Sequence, residues 1–213
     1  MNKTALIVAG GKAPSKNLLF QYIEKSDFII GADKGGESLM DDDISTFAVV
    51  GDFDSIDESV LDWFKSKETL VLKSKTEKDE TDTMIAINLA INNGAKTIYI
   101  LGALGQRLDH QVANLALLLY TDKRKTRSYI IDEDNIAFIA LREETIKTKK
   151  GDNISVFAVS KSAKFKSADG LKYSLDGLTI KRNNPVGVSN ISLKNCIKLS
   201  IKKGKVLVIK SSE

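Results

Sequence analysis

Two aspartates, Asp52 and Asp54, stand in Gly51-Asp-Phe-Asp-Ser55 directly after the apolar run Phe47-Ala48-Val49-Val50. At the end of a strand, where the chain turns, both carboxylates of such a pair can reach one ion. Hard carboxylate oxygens suit Mg²⁺ rather than zinc, and two of them leave most of the coordination shell to water and phosphate oxygens. The same residues also read as an Asx-type turn in which Asp54 caps a following helix.

Three further clusters repeat the arrangement. Lys78-Asp-Glu-Thr-Asp82 opens a helical pattern, and a helix start offers free N–H groups and a positive dipole end, which suit phosphate. Lys78 adds a charge there, and Asp82 can complete a metal site with Asp52 and Asp54. Plain capping by acidic residues explains this cluster equally well when it is read alone. Gly102-Ala-Leu-Gly-Gln-Arg-Leu-Asp-His110 joins the strand-like Ile98–Leu101 to another helix. Gly102 and Gly105 permit close backbone approach, and Arg107 is a natural fork for phosphate. Asp109 can meet a cation or the donors of a base. His110, the only histidine, reads as structural. Gly31-Ala-Asp-Lys-Gly-Gly36 follows Phe28-Ile29-Ile30 and presents Asp33.

The elements that must hold these clusters alternate. Strand-like runs at Thr4–Ala9, Phe28–Ile30, Phe47–Val50, Thr69–Leu72 and Ile98–Leu101 are separated by helical patterns at Asn17–Lys25, Asp57–Lys67, Thr81–Asn92 and Asp109–Tyr120. Either Asp79 or Thr81 can cap the third helix, and Gly94 ends it. Strand alternating with helix predicts a doubly wound, mainly parallel sheet, whose ligands bind outside the carboxyl ends of the strands. After Ile130 the helical period disappears. Short strands are expected at Ile136–Ala140, Ile154–Val159, Ala163–Phe165, Leu171–Tyr173, Leu178–Ile180, Ile191–Leu193, Ile197–Ile201 and Val206–Ile209, which is the pattern of a small all-β sandwich. The expected organisation is an α/β domain over residues 1–134 and a β-sandwich domain over residues 135–213.

Charge divides the chain in the same way. Residues 1–144 carry 17 Lys+Arg against 24 Asp+Glu, whereas residues 145–213 carry 15 against 4. A basic half is compatible with nucleic acid, but lysines on solvated strand faces account for it. At 213 residues, 42% hydrophobic and 28% charged, the chain reads as an ordinary globular protein. The apolar stretch Ala5–Ala9 is too short for a signal sequence or a membrane span. A lone cysteine, Cys196, forms no internal disulfide, and a cytoplasmic setting is expected. No Gly-x-x-x-x-Gly-Lys-[Ser/Thr] loop occurs, Gly10-Gly11 lacks the dinucleotide fingerprint, and one His with one Cys makes no zinc site. Carboxylates, an Arg, a Lys and glycine-lined turns remain, a set suited to metal-assisted transfer of a phosphate-type group.

Taken in order, Ala32-Asp33-Lys34-Gly35-Gly36, Gly51–Ser55, Lys78–Asp82, Gly102–His110 and Gly187-Val-Ser-Asn190 resemble the thiamine pyrophosphokinase (thiamin diphosphokinase) family. The resemblance spans nearly the whole chain. It implies transfer of the pyrophosphoryl group of ATP to the hydroxyl of thiamine, giving thiamine diphosphate and AMP. It also implies a homodimer with the thiamine site between subunits, Mg²⁺ as cofactor, and neither nucleic acid nor membrane as partner. Carried over by motif, Asp52, Asp54 and Asp82 match the metal and pyrophosphate centre, where Arg107 joins them in catalysis. Asp33, Lys78, Thr81, Gly102, Gly105, Gln106 and Arg107 match the ATP and phosphate loops, and Asp109, Ser189 and Asn190 the acceptor site. Two departures stand out. The third loop has Gly105-Gln106-Arg107 where the family often has Gly-Gly-Arg. The only tryptophan, Trp63, lies in the first half, whereas some relatives stack thiamine on a tryptophan of the second domain. Three other readings share parts of the pattern: a pterin pyrophosphokinase, a phosphatase with an aspartyl nucleophile, and an RNA-binding protein using the basic half.

Overall fold

The computed structural model describes residues 2–53, 58–74, 80–105 and 107–212. They form two compact units, Met1–Glu133 and Asp134–Glu213.

The first unit alternates β1 (Lys3–Val8), α1 (Lys16–Ile23), β2 (Phe28–Ala32), α2 (Gly35–Asp41), β3 (Ala48–Gly51), α3 (Glu58–Ser66), β4 (Leu70–Lys73), α4 (Asp82–Asn92), β5 (Ala95–Leu101), α5 (Leu108–Lys123) and β6 (Arg127–Ile131). Every strand pairing in this unit is parallel, in the order β6-β5-β1-β2-β3-β4. The four residues Ala5, Leu6, Ile7 and Val8 of β1 are all fully buried, as a strand covered on both faces requires. Ile30, Val50, Ile98 and Ile100 continue that layer, and Leu19, Phe64 and Ile87 press onto it from α1, α3 and α4. The strand order reverses between β1 and β5. That switch point is where an open α/β sheet leaves a crevice at its carboxyl edge.

Local chemistry sets the helix starts. The Thr81 hydroxyl accepts from the Met84 N–H (3.3 Å) and begins α4. The chain leaves α4 through Gly94 at φ +90°, a conformation that glycine adopts freely. Ser15 begins α1 in the same way, accepting from the Leu18 N–H at 3.2 Å.

The second unit is all β: β7 (Asn135–Ile139), β8 (Glu143–Lys147), β9 (Asn153–Ala158), β10 (Ser162–Asp169), β11 (Thr179–Lys181), β12 (Asn190–Ile191), β13 (Cys196–Lys203) and β14 (Val206–Ser211). Two antiparallel sheets, β12-β9-β14-β7 and β11-β10-β13-β8, make the sandwich. Alternate residues fill it: Ile154, Val156 and Ala158 from β9, Ala163 and Phe165 from β10, Ile197, Leu199 and Ile201 from β13.

Five elements differ from expectation. Helix α2 and strands β6 and β8 occur where the sequence reading has none. Conversely, Leu171–Tyr173 is not a strand; Leu171 alone bridges, to Ser192. The expected strand at Ile191–Leu193 is the two-residue Asn190–Ile191.

Candidate active site

Backbone meets backbone at the switch point. The N–H groups of Ala9, Gly11 and Lys12 donate to the carbonyls of Leu101, Gly102 and Leu104, each at 2.8 Å. A Cβ on Gly11 would lie 2.4 Å from the Gly102 carbonyl oxygen, and one on Gly102 the same distance from that of Ala9. The loops after β1 and β5 therefore interlock only because both positions are glycine. The Asn114 amide of α5 donates to the Ala103 carbonyl at 2.7 Å and holds the second loop from behind. Glu133 holds the far end of the first, accepting from the Ser15 N–H at 2.8 Å.

The carboxylates gather beside this frame. Asp33 follows β2 at φ +52°, and its N–H donates to the Val50 carbonyl of β3 at 2.8 Å. Its side chain lies against Gly10, where a Cβ would come within 2.8 Å of Asp33 Oδ2. Burial, then the charges of Asp82 and Asp52, push the Asp33 carboxyl above the usual aspartate range. Asp52 follows β3 and is half-buried. Asp82 is in the first turn of α4, where Ser74, leaving β4, donates its hydroxyl to Oδ1 at 3.1 Å. The Ser74 N–H donates in turn to the Gly51 carbonyl at 2.8 Å. Three strand ends and one helix start thus bring Asp33, Asp52 and Asp82 into one electrostatic neighbourhood.

Asp54, Lys78 and Gln106 lie outside the described residues, so two of the three expected metal ligands are in view. Among the described residues no group of three or more His, Cys, Asp and Glu side chains forms a metal-binding cluster. The chemistry of the donor set still fits a hard divalent cation. It consists of carboxylates gathered closely enough that Asp82 and Asp52 add to the cost of ionising Asp33, with glycine-lined turns alongside.

Arg107 precedes α5 and its fork is occupied by Asp109, with Nη2–Oδ2 at 2.6 Å and Nε–Oδ1 at 3.2 Å. Both side chains are well exposed. The hydrogen bond from Arg107 holds the Asp109 carboxyl below its ordinary value. A phosphate reaching Arg107 would exchange one anionic partner for another, a replacement that the guanidinium geometry accommodates. His110 is exposed, and its backbone N–H donates to Asp109 Oδ1 at 3.0 Å. Thr81 serves as the helix cap described above.

In the second unit the two acceptor-site candidates part company. Ser189 is exposed at φ +56°, and its N–H donates to Ser155 Oγ at 3.1 Å. Asn190 is 4% exposed and its amide faces inward. Its Oδ1 accepts from the N–H groups of Tyr173 and Ile191, both at 2.9 Å, while Nδ2 donates to the Tyr173 carbonyl at 2.6 Å. Gly187 underlies the turn: a Cβ there would lie 2.5 Å from both Cγ2 and the carbonyl oxygen of Val156. Sequence reasoning passed over Gly10, Gly11 and Ser74. The glycine pair was the available signal for the first two; Ser74 carries none.

A family model described as thiamin pyrophosphokinase, catalytic domain, matches residues 19–130. The chain is 31% identical over 216 residues to the thiamine pyrophosphokinase of Bacillus subtilis (strain 168), covering 99% of this chain and 100% of that protein. The crystal structure of the Bacillus subtilis thiamine pyrophosphokinase superposes with a TM-score of 0.85 at 28% identity, covering 99% of this chain and 100% of that one. That of the Geobacillus thermodenitrificans thiamin pyrophosphokinase gives 0.83 at 28% identity, covering 99% and 98%. These likenesses favour neither a pterin acceptor nor RNA binding.

Proposed function

Because the chain belongs to the thiamin pyrophosphokinase family, we propose that its catalytic centre is the carboxylate neighbourhood at the strand ends of the first unit. The reaction moves the pyrophosphoryl group of ATP to thiamine, with AMP as the other product. The thiamine hydroxyl oxygen attacks the β-phosphorus, the bond from that phosphorus to the AMP oxygen breaks, and the hydroxyl proton passes to a carboxylate. Positioning and electrostatics carry such chemistry.

Asp52 and Asp82, with Asp54, would hold Mg²⁺. When bound, it neutralises charge on the phosphates and orients them. Asp54 or Asp82 takes the proton, and Asp33 belongs to the ATP and phosphate loops. Gly102 seats the β5 loop against the β1 loop, and the half-buried Gly105 beyond it lets phosphate oxygens approach the backbone. Lys78 and the α4 start at Thr81 offset charge on the phosphates, and Gln106 and Arg107 contact the nucleotide. Asp109 and Ser189 face the acceptor. The β-sandwich serves thiamine binding and dimerisation, in a homodimer whose sites each draw on both subunits. A reducing cytoplasm suits the single Cys196.

The observation that carries this assignment is the convergence of Asp33, Asp52 and Asp82 from neighbouring strand ends and the α4 start, where the Asp33 carboxyl is held above its usual range. It marks a place where burial and the charges of Asp82 and Asp52 compress negative charge that a divalent cation would relieve. Asp52→Asn and Asp82→Asn test it. Each should lower turnover by about a hundredfold or more, the scale for removing a major electrostatic contributor, with the thermal transition retained. Near-normal turnover of both variants at saturating Mg²⁺ refutes the assignment.

A further inference from the structure

Glu80 stands among the site carboxylates in sequence but points elsewhere. It precedes the Thr81 cap of α4 and comes two residues before Asp82, yet its Oε1 accepts from Asn88 Nδ2 at 3.2 Å. Asn88 lies six residues along α4 from Asp82, about 9 Å of helix rise. The Glu80 side chain is therefore laid back along the flank of α4. It turns away from the helix start, where an acidic group would gain most from the dipole.

Asn88 is itself aimed. The Tyr120 hydroxyl of α5 donates to Asn88 Oδ1 at 2.7 Å, which leaves Nδ2 as the end turned to Glu80. The Arg124 guanidinium, at the end of α5, stands 3.5 Å from the centroid of the Tyr120 ring and steadies it. Asn88 and Tyr120 are half-buried, whereas Glu80 is exposed. An exposed hydrogen bond adds modestly to stability. Its larger consequence is where it leaves the charge. Asp33, Asp52 and Asp82 already share one neighbourhood in which Asp33 is costly to ionise. A further carboxylate swinging in from residue 80 would add to that repulsion and would meet the phosphates of ATP as a like charge.

We propose that Asn88, aimed by Tyr120, is a positioning residue that holds the Glu80 carboxylate along α4 and out of the phosphate site. This rests on the function given above and deepens it, since it concerns how that site stays open to a polyanion. Glu80 is then neither a metal ligand nor a nucleotide contact, although it belongs to the Lys78–Asp82 motif.

Calorimetric titration with Mg·ATP in the absence of thiamine, and steady-state kinetics with each substrate varied, test this. The variants are Asn88→Leu, Tyr120→Phe, Glu80→Gln and the two doubles that join Glu80→Gln to each of the others. Asn88→Leu removes the donor without adding charge. It should raise Kd and KM for Mg·ATP by about fivefold at low ionic strength, the scale of one partly screened like charge near the phosphates. KM for thiamine should stay within about twofold of the parent, since the acceptor gains no such opponent. Tyr120→Phe leaves the Asn88 amide unaimed and should raise Kd for Mg·ATP by about twofold. Glu80→Gln has no charge to hold and should match the parent. In that background neither Asn88→Leu nor Tyr120→Phe should raise Kd, because both act through the Glu80 charge. An unchanged Kd for Mg·ATP in Asn88→Leu overturns the inference. So does a rise that persists in the Glu80→Gln background, or one that KM for thiamine shares equally, because either marks a purely structural role. Should Asn88→Leu not fold, Tyr120→Phe, which loses only a hydroxyl, decides by the same comparisons. A parent chain that makes thiamine diphosphate while Asn88→Leu binds Mg·ATP normally sinks only this inference; a parent chain that makes none sinks the function as well.

Discussion

Among the described residues, Asp33 is the one carboxyl held above its ordinary range. A carboxyl whose value is raised on folding favours the fold below the ordinary aspartate value of about 3.9, and that advantage is lost as pH rises through its folded value. At neutral pH the protein therefore bears the cost of a desolvated charge that also faces Asp82 and Asp52, which Asn would remove. Asparagine also tolerates the φ of +52° at this position. Asp33→Asn should melt higher than the parent in Mg²⁺-free buffer at pH 7.5, with the difference shrinking towards about pH 4. Equal or lower melting temperatures at neutral pH would show that the crowding costs nothing. Arg107 makes a second case. Its fork engages Asp109 at the surface, so Arg107→Lys should keep the melting temperature and raise KM for ATP several-fold, because an ammonium cannot reproduce the bidentate grip. A variant that handles ATP normally removes Arg107 from the site. The carboxylates were legible in the sequence because Asp52, Asp82 and Asp33 all follow strands or open a helix. Asn190 was legible as important but not in its task. A motif names the residue type, whereas only the fold reveals that both amide ends are turned inward onto Tyr173.

At the scale of elements, what could be read depended on whether local chemistry or tertiary pairing made the element. Helix α4 was legible throughout, with Thr81 as its cap and apolar residues at helical spacing. Helix α2 was not, because it opens on Gly35-Gly36, poor helix formers by themselves. Those glycines are there for packing: a Cβ on Gly35 would lie 2.0 Å from the Val8 carbonyl oxygen. Gly35→Ala should thus destabilise the protein by about 1–3 kcal/mol, although alanine is the better helix former. Chemical denaturation measures it, and a neutral or stabilising result would mean the helix start is free to move. Strand β8, with the sequence Glu-Glu-Thr-Ile-Lys, has only one strongly apolar residue and is made by its five-residue pairing with β13. The expected strand at Leu171–Tyr173 failed for the converse reason. Its apolar alternation is genuine, but an asparagine side chain takes the N–H and C=O of Tyr173 that a neighbouring strand would have taken.

The whole molecule divides an acidic half from a basic one. A cationic acceptor is attracted by the carboxylate-rich first unit. Lysines cover the outer strand faces of the second, where Lys164, Lys166, Lys181 and Lys198 are exposed. If each site of a homodimer joins carboxylates of one subunit to Ser189 of the other, lesions on opposite sides must complement. Asp52→Asn and Ser189→Ala should each be weak as homodimers. Random co-refolding gives about half heterodimers, each with one intact site, so about a quarter of the parent activity should return. No recovery, with heterodimers verified by native mass spectrometry, would place the whole site within one subunit.

The central claim is that an intact pyrophosphoryl group moves from ATP to thiamine, and its most direct test follows the phosphorus atoms. The protein is incubated with Mg²⁺, thiamine and ATP labelled at the β- or at the γ-phosphorus in separate reactions. Both labels should appear in thiamine diphosphate, with AMP formed in equal amount and no turnover when thiamine is omitted. Appearance of the γ label alone, with ADP and a thiamine monophosphate, or release of phosphate without thiamine, would contradict the account.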